Sequence, residues 1–195
     1  LLESGEYWRQ SMTRFNAQNR VDATLISNLR IMRRTLINQI SKRCDKSKEI
    51  ITGVVHALLS RSIFIKYLEE RKDSNGETVF PQDFYCNFME SAKWYTDVLN
   101  SKEATYNLFL TLKDKFNGDT LQVSEIETEI ITQDDLDELR TFILGNSELE
   151  SRQLTLWPLY SFDIIPIQLI SSIYELFFHL SDEEDEKGTY YTPLH

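Results

Sequence analysis

Glycine, proline, cysteine and histidine are all sparse in this chain, and each shortage excludes a class of protein. The six glycines, at 5, 53, 76, 118, 145 and 188, never cluster, so neither common form of phosphate-cradling glycine loop is present. The four prolines, Pro81, Pro158, Pro166 and Pro193, are isolated from one another. Cys44 and Cys86 are only two and lie far apart, which fits free thiols and not a disulfide framework. His56, His179 and His195 have no cysteine or histidine neighbours at ligand spacing, so no metal site is expected. No apolar run approaches bilayer length, and the opening Leu-Leu-Glu-Ser-Gly-Glu-Tyr-Trp lacks the basic-then-apolar order of a signal peptide. The expectation is a cytoplasmic protein with no membrane partner.

What the chain does have is apolar and aromatic content, 41% and 12%, ample for a packed core in one or at most two domains. Its net charge of −10 is unevenly spread. Between Arg9 and Lys72 stand 14 Lys and Arg against 5 Asp and Glu, whereas residues 73–195 carry 7 against 24. The basic half suits phosphates, or equally the acidic half of the same chain. Arg30, Arg33 and Arg34, with Lys42, Arg43, Lys46 and Lys48 just beyond them, form the densest cationic stretch. These seven are the candidate contacts to double-stranded DNA.

The periodicity is helical. Leu25, Leu29, Met32, Leu36 and Ile40 recur every three or four residues over 21–40. A second helix, from about Ser47 to Arg71 and capped by Asp45 or Ser47, carries Ile51, Val55, Leu58, Leu59, Ile63 and Leu68 and reads as the central core helix. Arg61 interrupts its apolar face. It is expected to snorkel to solvent or to pair with a carboxylate, Glu175 being one candidate. Gly76 is expected to end that helix. Short helices are predicted at 82–89 and 104–116, with Trp94 and Tyr95 between them as core anchors. Residues 121–126 could form a brief strand, and Thr132-Gln-Asp-Asp135 opens a helix that stops at Gly145. The predicted fold is mainly α, an irregular multi-helix domain with long aromatic-rich connections and at most a small β element near 119–131.

Toward the end, Asp163 and Pro166 start a widely apolar helix, Ile-Pro-Ile-Gln-Leu-Ile-Ser-Ser-Ile-Tyr-Glu, followed by the acidic run 181–187 and then by Gly188-Thr-Tyr-Tyr-Thr-Pro193. This combination resembles the segment just before the catalytic domain in N6-adenine DNA methyltransferases of restriction-modification systems, either type I modification subunits or fused restriction-methylation enzymes. The stretches 56–71, 116–119 and 156–162 look similar in the same order, so the resemblance runs from about Val21 to the end. It implies a helical N-terminal domain over 1–180, and over 181–195 an acidic linker plus the start of a domain that binds S-adenosylmethionine. By the same resemblance Tyr191, Thr192 and Pro193 would contact that cofactor, with Tyr190 and Gly188 shaping the approach.

The glycine-rich turn and the Asn/Asp-Pro-Pro-Tyr/Phe motif that such chemistry needs around a flipped base are missing from these 195 residues. The expectation is therefore a fragment that transfers no methyl group and holds no cofactor by itself. It would brace a catalytic domain and assist contacts to DNA or to a DNA-recognition or restriction subunit. The competing expectation is an all-α protein-interaction module with no enzymatic role. A longer reading frame that continues into those motifs would separate the two.

Overall fold

The computed structural model describes residues 17–116 and 121–145, together with positions 170 and 173. Helix α1, Ala17–Arg43, has neither glycine nor proline to interrupt it. It buries Leu25, Leu29, Met32, Leu36 and Ile40 along one stripe, as the spacing predicts. Lys42 and Arg43 close its last turn, where positive charge suits the helix dipole. A short connection leads to α2, Lys48–Glu70, whose N-cap Ser47 accepts from the Ile50 amide. The pair packs as the main helix–helix contact of the described fold, and α1 also touches the last helix.

Helix α2 ends at Glu70, with Arg71 extended and its guanidinium 5.5 Å from the Tyr67 ring. Gly76 does not cap it. Instead Gly76, at φ +82°, shapes the turn in which the Asp73 carboxylate accepts from the Asn75 and Glu77 amides. Lys72 and Thr78 meet there in an isolated antiparallel bridge. A single 3-10 turn, Phe84–Asn87, replaces the helix expected over 82–89. It is pinned by aromatic stacking: Phe80 and Phe84 lie nearly parallel at 4.5 Å, and Phe88 meets Phe84 edge-on at 5.4 Å.

The one-turn helix α3, Tyr95–Val98, follows, its start held by the Asp97 carboxylate accepting from the Lys93 and Trp94 amides. Here the two expected core anchors part. Tyr95 is fully buried, whereas Trp94 is 56% exposed, because adjacent residues at a helix start point in different directions. Helix α4, Lys102–Phe116, buries Tyr106, Leu108, Phe109 and Leu112. The strand expected at 121–126 is absent: Ser124 caps a short helix α5, Glu125–Ile130, by accepting from the Glu127 amide at 3.1 Å. Helix α6, Gln133–Ile143, opens where Asp135 accepts from both the amide and the hydroxyl of Thr132, and closes before Gly145 at φ +74°. Among the described residues there is no β-sheet, and the fold is mainly α and multi-helical. Ile170 and Ile173 are helical and buried in the same core as α1 to α6.

One expectation about hydrophobic length needs correction. Helix α2 is long and apolar enough to cross a membrane, with a mean hydropathy of 1.3 over its most apolar window. In the fold 67% of that window is buried against the rest of the chain, the situation of a core helix. Its length comes from joining apolar stretches across Ser60-Arg61-Ser62, which a run-based reading treats as breaks.

Candidate interaction surface

The apolar core encloses a buried ion pair. Arg61, midway along α2, donates from Nη1 to Glu127 Oε1 at 2.6 Å and from Nη2 to Glu127 Oε2 at 3.1 Å, and Nη2 also reaches the Gln122 carbonyl at 2.6 Å. The guanidinium carbon sits 4.6 Å from the centre of the Phe109 ring, on the face that attracts cations. The Tyr106 hydroxyl donates to Glu127 Oε1 at 3.3 Å. Arg61 is thus fully buried and paired with a carboxylate, that of Glu127, and does not snorkel; Glu175 lies outside the described residues. Its partner Glu127 escapes a reading of the chain because the two are 66 positions apart.

One helical turn on, Lys66 pairs with Glu69 and, at 2.9 Å, with Glu70. Glu69 in turn accepts from the Tyr95 amide at 2.6 Å, and the Tyr95 hydroxyl meets Ser62 Oγ at 2.8 Å. These contacts fasten α3 to α2. Burial lowers the affinity of Lys66 for its proton, but the two glutamates outweigh it and its pKa ends above the ordinary lysine value. Burial pushes the Tyr95, Tyr85 and Tyr106 hydroxyls upward. The Glu69 carboxylate adds to this at Tyr85 and the Glu127 carboxylate at Tyr106. The Tyr85 hydroxyl feels Glu69 electrostatically while making no hydrogen bond of good geometry.

The seven cationic candidates for DNA do not form one patch. Arg33 is 1% exposed and donates from Nε to His56 Nε2 at 2.5 Å, cross-linking α1 to α2, so it offers no face to a phosphate. Arg30 is half-buried, with its Nε enclosed. Arg43 pairs with buried Asp135 and donates to the Ile130 carbonyl at 3.1 Å. Lys46 lies 3.3 Å from Glu129. Arg34, Lys42 and Lys48 are exposed. Arg43 and Lys46, like Arg61, are thus directed at carboxylates of the acidic half. The proposed cofactor positions Gly188, Tyr190, Tyr191, Thr192 and Pro193 lie outside the described residues. No group of His, Cys, Asp and Glu among the described residues has metal-binding geometry.

While ionic groups turn inward, apolar ones are left outside between α2 and α5. An open groove of about 340 Å³ runs along the first turns of α2 and the loop leading into α5. Val54, Ala57 and Val123 line it, and Ile50 and Ile126, 39% and 38% exposed, stand in its wall. Gly53 opens it further: beyond its own stretch of helix, a Cβ built there meets no atom of the described residues within 4 Å. Glu49 and Glu127 belong to the lining. Sequence reasoning missed this surface, although an isolated glycine inside a strong helical pattern is a signal.

Comparison with known protein families, with curated proteins and with solved structures gives no match to this chain.

Proposed function

We propose that this chain is an all-α protein-interaction module whose docking face is the groove between α2 and α5. The observation that carries the reading is the contrast between that open apolar surface and an interior that absorbs the charges of Arg61, Lys66, Glu69, Glu127 and Asp135. Desolvated and mutually paired ionic groups hold a framework rigid and are poorly placed to meet a substrate. Two exposed isoleucines beside a pre-formed groove suit an apolar anchor from a partner.

A second reading names a partner in the same polypeptide, the catalytic domain of an S-adenosylmethionine-dependent N6-adenine DNA methyltransferase, which the helical domain would brace. Its support is the resemblance of 166–193, joined to one structural fact: Ile170 and Ile173, inside the resembling run, are helical and buried in the core. The start of that run is thereby tied to the helical domain.

Calorimetric titration tests both readings. S-adenosylmethionine and a short DNA duplex are titrated into the 195-residue chain and into the product of its complete reading frame. The module reading expects no cofactor binding and no methyl transfer by the 195 residues, and methyl transfer by them would overturn it. The bracing reading expects cofactor binding by the complete product, weakened by Thr192→Ala and by Tyr191→Ala. A complete product that ignores the cofactor ends that reading.

A further inference from the structure

We draw no further inference here: the strongest candidate, the open apolar groove between the first turns of α2 and the loop leading into α5, with Ile50 and Ile126 exposed in its wall, carries nothing beyond the reading already given, because nothing in the structure shows what covers it.

Discussion

Arg61 and Glu127, 66 positions apart, form a two-pronged ion pair in which neither side chain reaches solvent. Through it α2 is joined to α5, and through the Gln122 carbonyl to the loop before α5. Because Glu127 also belongs to the groove lining, the pair sets the position of the wall that carries Ile126.

Breaking this pair from one side should be far costlier than removing it whole. Arg61→Met leaves a carboxylate buried without its counter-charge, with an expected loss of about 3–5 kcal/mol. Arg61→Lys keeps the charge but loses the fork and the planar contact with Phe109, so a smaller loss in the same direction is expected. The double variant Arg61→Met with Glu127→Leu should recover most of the stability, since apolar replacements of a buried pair are often neutral or better. Urea denaturation of the three variants and the parent measures this. A double variant no more stable than Arg61→Met alone would show that the pair's hydrogen bonds to Gln122 and Tyr106 matter more than its charges.

How much of this was legible in the sequence follows from what each feature depends on. The stripes of α1 and α2 are local, and Leu25 through Ile40 and Ile51 through Leu68 read correctly because helical spacing alone marks them. Arg61 was conspicuous for the same reason, a cation on an apolar face. Its partner was not, since Glu127 and Glu175 are equally plausible until the chain is folded. Residues 121–126 show apolar alternation at Leu121 and Val123, which favours a strand. The Ser124-Glu-Ile-Glu127 spacing carried the competing helix signal, and the helix won because no second strand exists among the described residues to pair with. Trp94 and Tyr95 were indistinguishable by type; only the direction in which α3 starts decides which one is buried.

The charged tyrosine environment predicts how the fold fails in alkali. Tyr85, Tyr95 and Tyr106 have folded-state pKa values raised above the ordinary value of about 10, chiefly by burial. A raised pKa on an acid means that the fold favours the protonated form. The stabilisation is complete below the unfolded pKa and declines as pH climbs beyond it. Lys66 acts in the same direction, its ion pairs with Glu69 and Glu70 being lost as it deprotonates. Stability should therefore fall above about pH 10, with these three phenolates, of nine tyrosines in all, appearing together with loss of helix. Absorbance at 295 nm and circular dichroism followed against pH provide the check. Ionisation of all nine with helix intact would contradict these environments.

The basic stretch of α1 should split into structural and solvent-facing members. Arg33→Gln removes a buried cation that donates to His56, and a loss of about 1–3 kcal/mol is expected. Lys42→Gln, at an exposed helix end, should lie within about 0.5 kcal/mol of the parent. If duplex DNA binds this chain, Lys42→Gln and Lys48→Gln should each reduce the slope of log affinity against log salt by about 0.9. Fluorescence anisotropy with a labelled duplex over a salt series, alongside thermal melts, separates the two groups. Unchanged salt slopes would remove both lysines from any DNA contact.

Asp135 should prove the most sensitive acidic residue of α6. Its carboxylate holds the helix start through the amide and hydroxyl of Thr132 and also pairs with Arg43 of α1. Asp135→Ala removes the cap, worth about 0.5–2 kcal/mol, and leaves Arg43 without that partner. Lys46→Ala breaks only an exposed contact with Glu129 and should cost about 0–1 kcal/mol. Chemical denaturation of both variants orders them, and equal losses would mean that Arg43 finds another carboxylate when Asp135 is gone.

Two glycines should respond to alanine with opposite signs. Gly76 sits at φ +82°, a conformation that costs an L-residue about 1–2 kcal/mol, so Gly76→Ala should destabilise the turn between Lys72 and Thr78. Gly53 lies in ordinary helical backbone with open space at its Cβ position, so Gly53→Ala should stabilise the chain by about 0.5–1 kcal/mol. For a protein of this size that is a rise of roughly 1–4 °C in thermal midpoint. Differential scanning calorimetry resolves both changes. A destabilised Gly53→Ala would mean that the folded chain itself requires the missing side chain.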